Sequence, residues 1–488
     1  MRLVSLLFGA LAAIALVAGV AALVGFLLWS GLLIWSNPDG KGSKAGQSSE
    51  GRFSEVCDAV LAGSNTIGER LAPALVRDYL VSSQFSVTGP FVDQPGEVRV
   101  IGEKDNLRCT VRIRSHGSGQ SFKELIAGSA SIGMSSRPIN AAEITALRAA
   151  KAGDFVAEAA LAEHVIALDG IAIITHPNNP IASLALADVK RVFLGQARDW
   201  GLFGGQGPIQ LYARDDVSGT FQFFFEHVLG ADPAWDGIKA QAQRYESSSH
   251  LVESVGNDPN AIGFVGVAYL TEAVKRLSIS SGGPAFAPSD ENVRAESYPI
   301  SRRLFLYVRP QTLRANRFVA ALIGYLKSPA AFARVEELGY VSLRPLEPRA
   351  DASKEVVCEA GSAEALVFQA ATAGAKRMAS VFRFVPNSNT LDSLARDDLQ
   401  RALAPLKAAL AQGAQVRLIG HSDGQGDAEI NRRLARERAE AVRAEMESRG
   451  VLGVQVDSAG EKCPLAENSS EAGRQSNRRV EVWITQPS

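Results

Sequence analysis

Glycines and small hydroxyl residues occur together in three short segments of the chain, each between an apolar strand-like run and a helical pattern. The segments are GSNT at 63–66, HGSGQS at 116–121 and VSGT at 217–220, and Arg214 precedes the third. The first N–H groups of a helix have no partner within the helix and lie at the positive end of its dipole, so they can hold an anion. One such segment indicates only a helix cap, but three of them with an arginine predict a pocket for a small oxyanion.

The third segment allows both interpretations when it is taken alone. Apolar residues follow it at helical spacing, and Gly230 ends the pattern. These apolar residues are Phe221, Phe224, Phe225, Val228 and Leu229. A cap by Ser218 or Thr220, with Arg214 paired to Asp216, would explain this stretch. The anion pocket is favoured because ligands of open α/β sheets bind at the carboxyl ends of strands, where helix N-termini converge.

A carboxylate and a guanidinium group form a second candidate site near the end of the chain. Asp423 lies in a glycine-rich turn after a strand-like run, and Arg438 lies on the following helix with Asn431 and Leu434 before it on the same face. Taken singly, a turn aspartate is usually a local cap and a helix arginine a solvated charge. A paired role for the two therefore needs support from the surrounding sequence.

Two folded regions are predicted to position these residues. From 54 to 345, short apolar runs alternate with helical patterns, which is typical of an α/β domain with mostly parallel sheets. The length of this region favours two lobes. From 378 to 488 the order strand, helix, strand, helix, strand, strand predicts a small α+β unit. Residues 346–377 are predicted to link the two regions.

The N-terminal region predicts a membrane anchor. Residues 3–35 carry no charge, and about 33 residues make roughly 50 Å of helix, more than a bilayer core needs. The run exceeds the apolar part of a secretion signal, and Trp29 and Trp35 are placed as interfacial anchors. We therefore predict a transmembrane helix at 1–36 and a flexible linker at 37–53. A cleaved signal is the alternative.

The four cysteines allow three pairings. Cys57 and Cys109 lie at nearly equal distances before the first two hydroxyl-rich segments, so parallel neighbouring strands would bring their thiols to a similar depth. This favours a Cys57–Cys109 disulfide and leaves Cys358 to pair with Cys463. Two disulfides indicate an oxidising compartment, so the folded regions are expected in the periplasm or outside the cell. Four unpaired buried cysteines are the alternative.

Composition and motifs exclude several classes of function. The formal net charge is −1 and no long block of Lys or Arg occurs, which argues against a nucleic-acid partner. None of the six histidines belongs to a metal-spaced pair or a nucleophile dyad. We therefore expect no enzyme activity, no cofactor and no metal site.

The region 54–345 resembles the periplasmic phosphate-binding proteins of ABC uptake systems. The resemblance is carried, in the order of the family, by GSNTIGERLAPALVRDY, GSGQSFKELIAGSASIGMSSRPI, IAIITHPNNPIASLALADVKRVFLGQARDW, RDDVSGTFQFF, AIGFVGVAYL and YPISRRLFLYV. It implies a two-lobed type-II periplasmic binding protein fold that closes on phosphate. The anion contacts that it implies are Thr66, Ile67, Ser118, Ser136, Arg214, Ser218, Gly219 and Thr220, with Asp216 orienting the arginine.

One position departs from this family pattern. Members can carry an aspartate, in the segment that here is IGMSSRP, which accepts the proton of a protonated phosphate, and Ser136 takes its place. A hydroxyl accepts a hydrogen bond but does not repel a fully ionised anion, and the adjacent Arg137 adds positive charge. Selection against sulfate-like anions therefore does not follow from the resemblance.

The region 378–488 resembles the OmpA-like peptidoglycan-binding domain through GHSDGQGDAEINRRLARERA and ENSSEAGRQSNRRVEV. The resemblance implies that Asp423 accepts a hydrogen bond from the ammonium group of a diaminopimelate stem. Arg438 would then form a forked contact with the neighbouring carboxylate. Asn431 and Arg479 are implied as supporting residues.

These inferences combine into one functional prediction. The chain is expected to be a membrane-tethered solute-binding protein for an inorganic oxyanion, first of all phosphate, that also anchors to peptidoglycan. It would lie at the inner membrane with periplasmic domains, and a local ABC permease or a sensor is the expected further partner, since tethering limits delivery to neighbours within reach of the linker. Outer-membrane association is the alternative location. An envelope structural or assembly protein with a lost or changed ligand is the alternative function.

Overall fold

The structure, a computed structural model, describes residues 54–487 apart from 217, 346–347, 351–355, 386–387 and 470. The predicted membrane anchor at 1–36 and linker at 37–53 lie outside the described residues. Among the residues described, no single helix has the length and apolarity to cross a membrane. Arg317–Tyr325 and Pro329–Glu337 satisfy the length and composition together, but they are bent by 67° at the break between them.

The described strands are β1 (Ser54–Gly63), β2 (Ser86–Gln94), β3 (Glu97–Lys104), β4 (Leu107–Ser115), β5 (Ile132–Ser135), β6 (Glu163–Thr175), β7 (Ser183–Ala185), β8 (Gln210–Arg214), β9 (Gln243–Tyr245), β10 (Ala261–Gly266), β11 (Lys275–Arg276), β12 (Ser278–Ser280), β13 (Ala285–Phe286), β14 (Ser301–Val308), β15 (Lys376–Arg383), β16 (Gln415–His421), β17 (Gln455–Gly460) and β18 (Arg479–Thr485). The α-helices are α1 (Ala72–Ser82), α2 (Ser118–Ala127), α3 (Ala141–Ala149), α4 (Ala159–Ala162), α5 (Leu186–Phe193), α6 (Gly219–Phe223), α7 (Trp235–Ile238), α8 (Ser248–Asn257), α9 (Asp290–Arg294), α10 (Pro310–Ala315), α11 (Arg317–Tyr325), α12 (Pro329–Glu337), α13 (Ala363–Thr372), α14 (Ser393–Ala411), α15 (Ala428–Ser448) and α16 (Glu471–Asn477). Wider helical turns at Ile67–Leu71 and Phe224–Val228 lead into α1 and extend α6.

A long sheet runs through the first folded region. Its strand order is β2-β3-β4-β1-β5-β14-β6-β10-β8-β9, and β11 also pairs with β6. β6 is buried along almost its whole length, as expected for a strand covered on both faces. Residues 163–170 of β6 pair with β14, and residues 171–175 pair with β10. The sheet therefore has two halves that share β6: β1–β5 belong to lobe 1 and β8–β11 to lobe 2. Lobe 2 also contains a separate three-stranded sheet of order β13-β12-β7.

The predicted two-lobed α/β fold is confirmed, but the sheet is mixed rather than mostly parallel. The pairs β1/β4, β1/β5, β8/β10 and β8/β9 are parallel. The pairs β2/β3, β3/β4, β5/β14, β6/β14 and β6/β10 are antiparallel. Two-residue connections at 95–96 and 105–106 join β2, β3 and β4, and connections this short can form only antiparallel hairpins.

Both predicted disulfides are present. Cys57 and Cys109 stand opposite each other on the parallel strands β1 and β4 and are bonded. Cys358 precedes α13 and is bonded to Cys463, which follows β17. The first disulfide crosslinks neighbouring strands of lobe 1, and the second closes a large loop in the last part of the chain.

The last part of the chain forms a smaller α/β unit, which we call the C-terminal unit and which consists of β15–β18 and α13–α16. Its sheet order is β15-β18-β16-β17, with β18 antiparallel to both neighbours. α14 and α15 cover the sheet with an apolar core that includes Phe382, Leu399, Leu406, Leu418, Val442, Met446 and Val482. α13 begins at a Ser362 cap inside the segment predicted as a linker, 346–377, and packs on β17.

Two adjacent acids on α14 contact the first folded region in different environments. Asp398 is 1% exposed and pairs with Arg294, which is 3% exposed. Its neighbour Asp397 pairs with Lys327 at 2.9 Å near the surface. Burial decides the energetic weight of the two pairs, because a buried charge cannot be rehydrated when its partner is removed.

We predict that Asp398→Ala lowers the free energy of unfolding by about 3–5 kcal/mol, because it leaves the buried guanidinium of Arg294 without this carboxylate. Asp397→Ala should lower it by less than about 1 kcal/mol, because water replaces the partner of Lys327. Urea denaturation followed by circular dichroism measures both values. Equal losses in the two variants would contradict the prediction.

Candidate functional site

The hydroxyl-rich segments meet around one cavity of about 250 Å³, which we call the cleft. We name them loop 1 (63–66), loop 2 (116–121) and loop 3 (218–220), and they follow β1, β4 and β8. The cleft is lined by Ser64, Asn65, Thr66, Gly117, Ser118, Gly119, Ser136, Arg137, Gly219, Gln222, Phe223, Glu226, His227 and Arg302. Four of the predicted anion contacts are among them, namely Thr66, Ser118, Ser136 and Gly219.

Backbone hydrogen bonds fix loop 1 against loop 2. The N–H groups of His116 and Gly117 donate to the carbonyl oxygen of Gly63 at 2.8 and 2.9 Å. The Gly117 N–H also lies 2.9 Å from the side-chain oxygen of Asn65. Gly63 has a φ of +136°, and a Cβ at this position would lie 2.1 Å from the carbonyl oxygen of Met134. Glycine is therefore required at this position, where it lets loop 1 pass beside β5.

Ser118 and Ser136 form a hydroxyl pair in the wall of the cleft. Their Oγ atoms are 3.1 Å apart, and the Ser136 N–H donates to the Ser118 Oγ at 3.0 Å. A hydroxyl group both donates and accepts, and its hydrogen rotates to suit the partner. The pair can therefore turn a donor toward an anion without moving any heavy atom.

Loop 3 brings lobe 2 to the same cleft. The Ser218 side chain accepts from the N–H of Phe221 at 3.4 Å, so Ser218 is also an ordinary N-cap. Gly219 lies so close to loop 1 that a Cβ would stand 2.7 Å from the Oγ1 of Thr66. The missing side chain at Gly219 therefore allows the two lobes to touch.

Arg302 is a cleft residue that the sequence reasoning missed. Its side chain is only 5% exposed, and its Nε and Nη2 lie 3.0 and 2.7 Å from the Oδ2 of Asp169. Nη2 also donates to the Oγ1 of Thr66 at 3.0 Å, and Nη1 lies 3.5 Å from the carbonyl oxygen of Gly219. The guanidinium carbon is 4.4 Å from the centre of the Phe223 ring. The sequence clue is a charged pair, RR, inside the otherwise apolar strand β14.

Arg214 does not line the cleft. It lies in a neighbouring cavity of about 90 Å³ that also holds Ser218 and Thr220 and shares Thr66 and Gly219 with the cleft. Its guanidinium is held by the segment before α8. The contacts are the carbonyl oxygens of Tyr245 and Glu246, at 3.2 and 2.6 Å, and the hydroxyl group of Ser248.

The implied role of Asp216 is not present in this structure. Asp216 pairs with Arg244 at 2.7 Å and does not contact the Arg214 guanidinium. The reason is competition, because Arg244 stands on β9 beside β8 and reaches the carboxylate, while the carbonyl groups of the next segment attract Arg214. Ile67 is fully buried in the core of lobe 1, so only its backbone is available to a ligand.

The charges in the cleft are largely compensated by neighbours. Arg137 forms a forked pair with Glu143 at 2.7 and 3.0 Å, as Arg302 does with Asp169. Glu226 is exposed in the lining and has no hydrogen-bond or ion-pair partner among the described residues. Desolvation by neighbouring groups lowers the pKa of His227, which favours the uncharged imidazole. Among the described lining residues, the cleft therefore offers many neutral donors and one unpaired carboxylate.

At the second site Asp423 and Arg438 lie near each other, and the charge of Arg478 interacts with both. Arg478 pairs with the Oδ2 of Asp423 at 2.7 Å. Arg438 is buried and stands 5.6 Å from the Phe384 ring. Burial and the charge of Arg478 lower the pKa of Arg438, and Asp423 opposes this shift. The Nε of Arg438 has no hydrogen-bond partner among the described residues, so the site holds a buried donor without an acceptor.

The two predicted supporting residues form hydrogen bonds with other groups. The side-chain amide of Asn431 donates to Glu461 at 2.6 Å. Arg479 is fully buried and contacts Glu481 at 2.8 Å and the carbonyl oxygen of Cys463 at 3.2 Å. The structure therefore puts Arg478, not Arg479, beside Asp423. Neighbouring side chains of an extended chain point to opposite sides, so Arg478 and Arg479 have different surroundings.

Comparisons with known proteins match two regions of the chain. Residues 82–330, more than half of the chain, match the family model of the PBP superfamily domain, and residues 383–478 match the OmpA family. The chain is 28% identical over 253 residues to Protein SphX of Synechococcus elongatus, an alignment that covers 49% of this chain and 71% of that protein.

Two further comparisons concern proteins with phosphate in their names. The chain is 30% identical over 213 residues to the phosphate-binding protein PstS of Pseudomonas aeruginosa, and the alignment covers 41% of this chain and 63% of that protein, less than two thirds of its length. An ABC-type phosphate transport receptor from Vibrio cholerae superimposes with a TM-score of 0.43 at 20% identity, over 58% of this chain and 99% of that one. From the family matches, the chain belongs to the PBP superfamily and carries a C-terminal OmpA family domain.

Proposed function

We propose that the chain is a receptor of the cell envelope that binds phosphate in the cleft and peptidoglycan through the C-terminal unit. The observation that carries the first part is the meeting of three loops, from two lobes, around one cavity rich in hydroxyl and N–H donors. The names of the relatives, a phosphate-binding protein and a phosphate transport receptor, support phosphate as the oxyanion.

The donors in the cleft have distinct proposed roles. Thr66 and the backbone of Ile67 act from loop 1, Ser118 and Ser136 from the hydroxyl pair, and Gly219 from loop 3. Ser218, Thr220 and Arg214 act from the adjoining cavity, where Arg214 adds positive potential without direct contact in the present geometry. Arg302 holds Thr66 in place and supplies the charge nearest to the anion.

The unpaired carboxylate gives the cleft its selectivity in this proposal. Both arginines of the lining already have carboxylate partners, so a fully ionised dianion meets Glu226 with only the more distant Arg214 of the adjoining cavity to offset it. A phosphate that keeps one proton can donate it to Glu226, whereas sulfate has no proton to donate at neutral pH. Glu226 therefore repels a fully ionised anion, which the uncharged hydroxyl group of Ser136 cannot do.

The C-terminal unit is proposed to recognise a zwitterion in the wall. Asp423 accepts a hydrogen bond from an ammonium group after its ion pair with Arg478 has opened. Arg438 donates to the carboxylate through its unpartnered Nε. Matched charges of opposite sign give specificity more than affinity. With a membrane anchor at 1–36, a binding domain at 54–345 and a wall domain at 378–488, the receptor would sense phosphate or feed one local permease from the periplasmic side of the inner membrane. An envelope structural or assembly role remains the competing hypothesis, and phosphate titration separates the two.

We predict that the full chain binds phosphate and that Ser118→Ala weakens binding by about 10- to 100-fold, because it removes a hydrogen bond to a charged group worth about 1.5–3 kcal/mol. Isothermal titration calorimetry measures the dissociation constant. Ser82→Ala, which changes an exposed serine on α1 outside the cleft, is the control and should bind as the wild type does. Absence of heat at millimolar phosphate in the wild type would refute the receptor.

Glu226→Gln should raise the affinity for sulfate relative to phosphate by about tenfold. The substitution removes a negative charge that repels sulfate, whereas a protonated phosphate can donate a hydrogen bond to that charge. Competition calorimetry with the two anions gives the ratio. Glu272→Gln, which removes a carboxylate that is 98% exposed and outside the cleft, is the matched control. A wild-type chain that binds both anions equally would remove Glu226 from this role.

Binding to purified sacculi should be lost in Asp423→Ala and in Arg438→Met, because each leaves one charge of the zwitterion without its counterpart. Arg436→Ala removes an exposed arginine from the same helix and should leave binding unchanged. Co-sedimentation with sacculi, quantified on gels, compares the three. Retention of both site variants would contradict the assignment.

A further inference from the structure

Two consecutive arginines on β14 serve opposite faces of the sheet. Arg302 points into the cleft, where it contacts Asp169, Thr66 and the backbone of Gly219. Arg303 points the other way, because neighbouring side chains of a strand lie on opposite faces. Whatever fixes Arg303 therefore also fixes the strand that presents Arg302.

Arg303 is held jointly by Glu296 of its own region and by Asp392 of the C-terminal unit. Its Nε and one Nη form a forked pair with Glu296 at 2.6 and 2.7 Å, and its other Nη lies 2.8 Å from Asp392. Asp392 also caps α14, accepting from the N–H of Ala395 at 2.8 Å. Arg383, at the end of β15, lies 3.3 Å from Glu296. We call these four charged residues, Glu296, Arg303, Arg383 and Asp392, the hinge network.

The hinge network is ionised and mostly shielded from water. The side chains of Arg303 and Asp392 are 13% and 14% exposed, and that of Arg383 is 3% exposed. Burial raises the pKa of Glu296, but the guanidinium groups of Arg303 and Arg383 outweigh this and lower it to about 2. Forked, charge-assisted contacts of this kind hold their partners in one orientation.

The C-terminal unit also contacts each lobe. On lobe 1, Asp397 of α14 pairs with Lys327, which follows α11, at 2.9 Å. On lobe 2, the N–H of Glu467 donates to the carbonyl oxygen of Ser281 at 2.6 Å. A Cβ at Gly283 would lie 2.7 Å from the carbonyl oxygen of Leu465. The unit therefore spans the joint between the lobes, and any relative motion of the lobes must change its contacts.

We propose that the C-terminal unit controls the cleft: by holding Arg303 and both lobes it positions Arg302, so that anion binding and docking of the unit strengthen each other. Arg303 and Asp392 are positioning residues in this scheme and do not touch the anion. Thermodynamic linkage makes the effect reciprocal. The ligand in the proposal rests on the proposed function, but the linkage between docking and the cleft does not.

Asp392→Asn tests the proposal in the full chain, because asparagine caps a helix as well as aspartate but lacks the charge that holds Arg303. Asp427→Asn makes the same change at the cap of α15, where the carboxylate accepts from N–H groups of its own helix, and is the control. Without ligand, hydrogen exchange should quicken at residues 64–68 and 218–222 in Asp392→Asn only. With phosphate, the dissociation constant should rise by about fivefold or more in Asp392→Asn, the scale of an ordinary coupling free energy, and stay unchanged in Asp427→Asn.

The reciprocal measurement uses the wild-type chain. Added phosphate should slow exchange in the first turn of α14, including the N–H of Ala395, although that turn does not line the cleft. Equal exchange in the two variants at the cleft, or in the first turn of α14 with and without phosphate, would overturn the proposal. If the wild type binds no phosphate, the proposed ligand is wrong, and the ligand-free exchange of the two variants still decides the linkage.

Discussion

Arg302 and Asp169 face each other on the two strands that join the lobes, with side chains only 5% and 7% exposed. Burying such a pair costs more than its attraction returns unless further hydrogen bonds satisfy the remaining groups. Those bonds come from Thr66 of loop 1 and the backbone of Gly219 of loop 3, one from each lobe. The guanidinium therefore makes both of these contacts only when the lobes stand close together. The buried charge at the base of the cleft thus favours the arrangement in which loop 1 and loop 3 lie side by side.

At two places in this chain, consecutive arginines have different partners on opposite sides of the backbone. On β14, Arg302 serves the cleft while Arg303 meets the C-terminal unit. Around the start of β18, Arg478 meets Asp423 at the surface while Arg479 stays in the interior with Glu481. In both places one guanidinium belongs to a site and its neighbour holds the backbone that carries it. The same strand therefore supplies both the recognition and the rigidity that recognition needs.

Sequence patterns were sufficient for the parts of the site that depend on the backbone. Glycines and hydroxyl residues at strand ends predicted that Thr66, Ser118 and Gly219 would meet, and all three line the cleft, because the topology of an α/β fold brings such loops together. The Cys57–Cys109 disulfide was predicted in a similar way, from the similar positions of the two cysteines along neighbouring strands. These predictions needed only the position of each residue along an element and the edge of the sheet where that element ends.

Side-chain partners far along the chain could not be predicted in this way. Arg214 is held by carbonyl groups some thirty residues later, at 245–246, and no local pattern announces them. Arg302 was missed because two adjacent arginines look like surface charge until both faces of β14 are known to be covered. The family resemblance implied Arg479, whereas the residue that pairs with Asp423 is Arg478, and no local pattern distinguishes two consecutive arginines whose side chains point in opposite directions.

The disulfide between Cys358 and Cys463 has a consequence for how the C-terminal unit would respond to mechanical force. A force applied along the chain from the N-terminal side would reach Cys358 and cross to Cys463 through a covalent bond. Cys463 lies three residues beyond Gly460, whose carbonyl oxygen accepts from the N–H of Ser422 at 2.9 Å, next to Asp423. Such a force would pass from the disulfide to the turn next to Asp423 without crossing α13 and β15. The covalent link would thereby protect these two elements from mechanical unfolding.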